Sequence, residues 1–351
     1  MSAKQNTNTG AFSALKQDIK SGNPRPLYMF YGEETYLLHY YTQQLRKKMI
    51  DPLTEEFNFH RFNDETFSAQ AVYDAVENLP MMAERSMVLV EDVDLFKLPE
   101  EERSQLQALF EDLPDYCTVV FFFETVAWKP DKRLKKFWSA IEKNAQIVEF
   151  AKQSQRELMA WVGRHFASHK KTISSDLCAY LIEITGGTMT ALGSEIQKIA
   201  AYALGSEITK YDIDAVTEPV LDAVVFEMTD QIARNEYGPA LNKLRDLCKM
   251  QTEPLSILGA VGAQMRRVSA ARTLLDAGRG SGELMQLCGL SDYAARKTLA
   301  TAGKVPARFC AAAARLVLET DYRIKTSYDD PQRLLELLLL QLSQEATYGK
   351  N

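Results

Sequence analysis

Residues 26–38 read PLYMFYGEETYLL. Pro26–Tyr31 is a short apolar, aromatic run that stops at Gly32, the pattern of a buried strand entering a turn. From Glu34 to Met49 the residues Tyr36, Leu37, Tyr40, Tyr41 and Leu45 recur at helical spacing. In an α/β nucleotide-binding domain such a strand-turn-helix carries GxxxxGK[ST], whose glycine amides cradle phosphate while the lysine reaches its outer oxygens. Here the turn has one glycine, no lysine, and two carboxylates, Glu33 and Glu34, where phosphate charge would sit. No GK[ST] occurs anywhere, since Gly303-Lys304 is followed by Val305. The segment reads either as a nucleotide fold that no longer binds nucleotide or as an unrelated strand-turn.

The same alternation extends outward. Phe57–Phe62 (FNFHRF) has period two, a strand signal. Ser68 to Leu79 carries a helical stripe of Ala71, Val72, Ala75, Val76 and Leu79. Ser86–Val90 and Thr118–Phe123 are continuous apolar runs, which suit strands buried on both faces of a parallel sheet. Lys132 to Lys143 is amphipathic through Leu134, Phe137, Trp138 and Ile141, and Gln146–Phe150 closes the series as a strand. Residues 1–150 are therefore predicted to be an α/β domain with a mostly parallel sheet. The polar Met1–Gly10 lacks the apolar core of a secretory signal and reads as a frayed tail.

Beyond Phe150 the strands stop. Residues 151–217 hold three helical patterns, one ended by Gly186-Gly187, and Thr209 is placed to cap the last short segment. They are predicted to form a small helical domain. Pro219 marks the next boundary, and 218–351 reads as helical throughout. Its last helix starts with Asp330 at the N-cap and Pro331 in the first turn. Seven leucines follow between Leu334 and Leu342, so this helix is expected to be buried all round, by its own core or by a partner subunit. Gly278–Gly282 (GRGSG) reads as a flexible loop. The predicted class is α/β plus all-α.

Length and composition limit the function. A chain of 351 residues accommodates two or three domains, and 46% hydrophobic with 25% charged residues excludes disorder for most of it. The five cysteines, at 117, 178, 248, 288 and 310, form no CxxC, which argues against a disulfide framework or a four-cysteine zinc site. Reduced thiols in a cytoplasmic protein are expected. No run reaches the ~18 apolar residues of a membrane span, so no membrane partner is expected. The net charge is −6, with −7 in residues 1–150 (17 Lys+Arg against 24 Asp+Glu) and no basic domain elsewhere. Strong independent affinity for duplex DNA is therefore not expected, and any DNA contact should be local or shared with partners.

Reactive constellations are weak. Glu91-Asp92 follows an apolar strand, as a magnesium-holding pair does, yet without a phosphate loop ordinary turn chemistry is the better reading. His165 and His169 are four apart, but no third ligand is near. GxSxG is absent. Catalytic residues, cofactor-binding residues and metal ligands are all expected to be none. The basic group Lys129, Lys132, Arg133, Lys135 and Lys136 reads as a solvated face around Leu134 and Phe137. The informative feature is Leu79-Pro80-Met81-Met82. Pro80 ends the preceding helix, and two flexible apolar side chains follow. They either pack back under the sheet or project to fill an apolar groove of a partner.

Taken together, PLYMFYGEETYLL at 26–38, ENLPMMAERSMVLVEDVDLF at 77–96 and VVFFFETVAWKPDKRLKKFW at 119–138 resemble the delta-subunit family of bacterial DNA polymerase III clamp loaders. So do IVEF at 147–150, ITGGTMTALGSEIQKI at 184–199, AVVFEMTDQI at 223–232 and DYRIKTSYDDPQRLLELLLLQL at 321–342. The likeness runs over about residues 15–345. It implies an AAA+-like α/β domain (1–150), a small helical lid (151–217) and a helical collar (218–351). It implies a role in DNA replication: binding the sliding clamp (beta) and opening its ring for loading on primed DNA, without hydrolysing ATP. The family's clamp-contacting hydrophobic pair falls on Met81 and Met82, backed by Leu79 and Pro80, where many relatives carry Leu or Phe. Further implied partners are the sibling subunits gamma/tau and delta-prime through the collar, and primed DNA only within the complex. The assembly is a DNA-directed DNA polymerase, a nucleotidyltransferase, but no cofactor is implied for this chain. It lacks the Ser-Arg-Cys of ATPase siblings and the cysteine zinc cluster usual in delta-prime. The rival readings are an active AAA+ ATPase and a purely structural collar protein of a replication or repair complex.

Overall fold

The structure, a computed structural model, describes residues 2–347. The chain forms two compact units, 1–153 and 154–351. The first contains α1 (Ser2–Ser21), β1 (Leu27–Tyr31), α2 (Thr35–Met49), α3 (Glu55–Asn58), β2 (Phe59–Phe62) and α4 (Ala69–Glu77). It continues with β3 (Ser86–Glu91), α5 (Glu100–Glu111), β4 (Cys117–Phe123), α6 (Lys135–Asn144) and β5 (Gln146–Glu149). All five strands are parallel, in the order β2-β3-β4-β1-β5, as the expected parallel α/β domain requires. Phe30 stands opposite Phe122 on one side and Val148 on the other.

Side chains alternate across this sheet. Leu27, Met29, Val88, Val90, Val119 and Phe121 face the helices α4, α5 and α6, where Val72, Val76, Leu106, Phe110 and Ile141 complete a buried core. Tyr28 and Phe30 point the other way. There Phe30 meets Phe150 at 5.3 Å and Phe150 meets Phe12 of α1 at 5.8 Å, both edge-on. The continuous apolar strands are thus covered on both faces, the condition that permits such runs.

Three local expectations for the first unit need correction. The first ten residues were predicted as a tail, but α1 begins at Ser2, while Met1 lies outside the described residues. The helix is held by Leu15, fully buried, and by Phe12 against Tyr41. The strand expected from Phe57 starts at Phe59, because Phe57 and Asn58 close a short helical turn on Thr54. The helix expected from Lys132 starts at Lys135, because Asp131 accepts hydrogen bonds from the Arg133 backbone N–H and guanidinium and forms a turn instead.

The second unit is helical: α7 (Gln155–Ser168), α8 (Ser175–Ile184), α9 (Met189–Tyr202), α10 (Lys210–Val216), α11 (Leu221–Ala233), α12 (Tyr237–Lys249) and α13 (Pro254–Asp276). Then follow α14 (Ser281–Cys288), α15 (Asp292–Ala302), α16 (Ala307–Thr326) and α17 (Pro331–Thr347). Ser154 with Glu157 and Thr209 with Asp212 make reciprocal capping boxes on α7 and α10. The Asp330 carboxylate accepts the Gln332 N–H at the start of α17, as its N-cap position requires. That helix is not buried all round. Leu334, Leu335, Leu338, Leu339 and Leu342 enter the core, whereas Leu337 and Leu340 stay exposed. The GRGSG segment is not wholly loop, since Ser281 opens α14 and Glu283 accepts from the Gly280 N–H at 3.2 Å.

Candidate functional site

The turn between α4 and β3 offers exposed apolar surface on the first unit. α4 closes with the Asn78 N–H donating to the Asp74 carbonyl, and Pro80 prevents a further turn. Leu79 is 77% exposed, Met81 52% and Met82 89%. Neither sulfur packs back under the sheet. Met82 takes a left-handed conformation, φ 54°, which costs a non-glycine residue about 1–2 kcal/mol. Such a conformation persists only when its surroundings impose it.

Asn58, at the end of α3 and fully buried, fixes the peptide that precedes Met82. The Met81 N–H donates to Asn58 Oδ1 at 2.8 Å, and Asn58 Nδ2 donates to the Met81 carbonyl at 2.9 Å and to the Thr54 carbonyl at 3.1 Å. One amide side chain thereby stands in for a neighbouring strand. On the far side, the Arg85 guanidinium donates to Asn23 Oδ1 at 2.7 Å, and Ser86 enters β3 by donating to the Tyr116 carbonyl. The projection is therefore a backbone-fixed turn carrying exposed apolar tips. Sequence reasoning missed Asn58, because an amide at a polar position of the alternating FNFHRF carries no signal of its own.

The β1–α2 turn is built differently from a phosphate loop. Gly32 has φ 140°, and a Cβ there would lie 2.2 Å from the Phe150 carbonyl oxygen. The Glu34 N–H donates to that same oxygen at 2.9 Å. The Glu34 side chain is nearly buried, and desolvation pushes its carboxyl above the usual range against the opposing pull of the Tyr36 amide and Lys152. An acid thus fills the helix start that a phosphate would need.

Glu91 and Asp92 divide into two structural roles. Glu91 pairs with Arg61. Asp92, itself at φ 55°, accepts the backbone N–H groups of Glu124, Thr125 and Val126 at 2.8, 2.9 and 3.1 Å. Although burial opposes it, these amides and the Thr125 hydroxyl hold the Asp92 carboxyl below its ordinary range. Both acids line a polar cavity of about 360 Å³ with His39, which meets Glu124 at 3.0 Å.

Elsewhere the ring of His165 lies 3.9 Å from that of Trp161, and burial pushes its pKa down, while His169 caps the end of α7. Among the described residues no group of three or more His, Cys, Asp or Glu is placed to hold a metal. Burial pushes the thiols of Cys117 and Cys178 up to about 11, the direction of inert structural cysteines. In the basic cluster, Arg133 is engaged by Asp131 and Lys132 lies 5.9 Å from the Trp138 ring.

A five-stranded parallel α/β unit carrying an anchored, exposed apolar turn, followed by a helical unit, defines the architectural class of the chain. Comparison with known proteins narrows the class. Residues 28–151 match the family described as DNA polymerase III, delta subunit, and residues 222–342 match the DNA polymerase III delta subunit, C-terminal domain. The chain is 28% identical over 338 residues to DNA polymerase III subunit delta of Bacillus subtilis (strain 168), covering 93% of this chain and 95% of that one. It is 21% identical over 281 residues to a probable DNA polymerase III subunit delta of Aquifex aeolicus (strain VF5), 76% of each chain. The solved Bacillus subtilis DNA clamp loader delta protein (YqeN) superposes with a TM-score of 0.60 at 24% identity, over 95% of this chain and 99% of that chain, a likeness of fold. The chain belongs to the DNA polymerase III delta-subunit family.

Proposed function

We propose that this chain binds the sliding clamp and opens its ring for loading on primed DNA, and that it does so without hydrolysing ATP. One observation carries the reading: Met81 and Met82 stand out from a turn whose backbone is fixed by Asn58. Burying two methionine side chains in an apolar pocket supplies about 3–6 kcal/mol before ordering costs. A fixed backbone lowers those costs, and flexible thioethers adapt to the pocket. The bound energy favours whichever ring conformation the projection fits better, here one with a sprung interface. The carboxylate-filled Gly32 turn supports the absence of ATP turnover.

The proposed division of labour assigns residues 1–150 to the clamp, 151–217 to the lid and 218–351 to the collar. The collar joins the sibling subunits gamma/tau and delta-prime. Its support is the unfilled apolar surface of the second unit. Leu337 and Leu340 are exposed on α17, and an 830 Å³ groove between α13 and α16 is lined by Leu255, Leu258, Met265, Val317 and Leu318. The acidic first unit fits contact with DNA only inside the complex.

The test is a titration of the full chain with the sliding clamp. Met81→Ala with Met82→Ala is expected to weaken binding at least roughly tenfold, because truncating two buried anchors costs over ~1.4 kcal/mol. Unchanged affinity would instead favour a purely structural collar protein, and ATP turnover abolished by altering Glu91 and Asp92 would favour an ATPase.

A further inference from the structure

Two other large apolar side chains are left in solvent beside the methionine turn. Leu53 is 91% exposed and Phe57 55%. Both belong to the turn that leads into β2, and that turn is itself fixed. The Leu53 N–H donates to Asp51 Oδ1 at 2.9 Å, Thr54 N–H to the Asp51 carbonyl at 3.0 Å, and Phe57 N–H to the Thr54 carbonyl at 3.1 Å. Glu55 ties it to α2 through Arg46. The Asn58 amide then donates to the carbonyls of both Thr54 and Met81, so the 53–57 turn and the 79–82 turn share one hydrogen-bond donor group. Their five exposed apolar side chains, Leu53, Phe57, Leu79, Met81 and Met82, are carried by one braced unit. A cluster of this kind exposes apolar surface of roughly several hundred Å², the size that marks an interaction site and not scattered surface hydrophobes.

We propose that Leu53 and Phe57 form the second half of the docking surface begun by Met81 and Met82, gripping the same partner. The inference rests on the clamp-contact reading above. A partner seated on the methionines necessarily approaches the turn to which their backbone is bonded. Charge decides against the other obvious occupant. Asp51, Glu56, Glu77 and Glu84 flank the apolar residues in sequence, so a second copy of this chain would set like charge against like. A partner whose apolar pocket has a cationic edge fits instead. Double anchoring also fixes the orientation of the projection in the pocket, which a single pair of flexible thioethers does not.

The experiment titrates the full chain and its variants with the purified sliding clamp and follows their thermal unfolding in parallel. Leu53→Ser with Phe57→Ser is expected to weaken clamp binding about tenfold. A photo-reactive residue in place of Leu53 alone, where the side chain is almost wholly in solvent, is expected to yield a covalent adduct with the clamp, and it decides the matter if the double variant unfolds early. Two results overturn the inference while leaving the clamp reading standing. One is unchanged affinity of the Leu53/Phe57 variant when Met81→Ala with Met82→Ala loses it. The other is absence of the adduct under conditions where the clamp is bound. If neither pair affects binding, the clamp reading itself fails. Loss of self-association in place of clamp binding would assign the surface to a second copy and overturn the proposal.

Discussion

Asn58 and Met81, twenty-three residues apart, pair as two strands pair: each donates one hydrogen bond to the other, at 2.9 and 2.8 Å. The donor and acceptor on the Asn58 side belong to a fully buried side chain, so water does not compete for them. That arrangement converts a proline-broken helix end into a fixed platform for two exposed thioethers.

Replacing Asn58 by Leu removes both partners and leaves the Met81 N–H and carbonyl in search of others. Each buried polar group left unpaired costs about 1–3 kcal/mol. With two such groups left, urea unfolding should show a loss of about 2–6 kcal/mol. Clamp affinity should fall further than the loss of fold stability explains, because the folded fraction still carries an unfixed turn. Asn58→Asp, which keeps one acceptor, should lose less of the Met81 N–H bond than Asn58→Leu does.

Met82 offers a test in which stability and binding move in opposite directions. Its φ of 54° suits glycine. Met82→Gly relieves about 1 kcal/mol of left-handed strain, against the added chain entropy of glycine. The variant is therefore expected to unfold at no lower denaturant concentration than the parent, yet to bind the clamp more weakly. A parallel drop in both would show that the side chain serves the fold.

Asp92 predicts an acid limb of stability. Three backbone N–H groups favour its ionised form in the folded protein, so its folded pKa lies below that of the unfolded chain. Its contribution is fully present above the unfolded value of about 3.9 and is lost as pH falls through the lower folded value. Asp92→Asn keeps an oxygen acceptor and tolerates the left-handed backbone but carries no charge. The variant should be less stable near neutral pH and should show a shallower fall as the pH drops below the unfolded value. Unfolding curves at several pH values check it.

What the sequence disclosed follows from how each element is held. The runs Leu27–Tyr31, Ser86–Val90 and Thr118–Phe123 were legible because strands covered on both faces admit almost no polar residue. Helix α5 was not recognised. It opens with Glu100, Glu101 and Glu102, which suit a helix N-terminus electrostatically, but only Leu106, Leu109 and Phe110 are buried in it, too few to show a period. α1 was hidden by a polar first half. The exposure of Met81 and Met82 was left open by the sequence, since either orientation satisfies Leu79-Pro80-Met81-Met82. It is set by Asn58, and a side-chain-to-backbone pairing at that distance leaves no local pattern. The burial of α17 was overread for the opposite reason: seven leucines fixed its composition, but not which two face outward.

Gly32 bears on any attempt to build a phosphate loop into this turn. Inserting a lysine and a hydroxyl residue after β1 would not be enough, because the chain there runs so close to the end of β5 that any side-chain carbon at position 32 collides with the Phe150 peptide. The Glu34 amide is bonded to the same carbonyl. A nucleotide-cradling loop would therefore require the neighbouring strand end to be rerouted at the same time, two coordinated changes in place of one. On the proposed reading, the lack of a fuel site thus follows from the backbone path itself and is beyond the reach of a single point substitution.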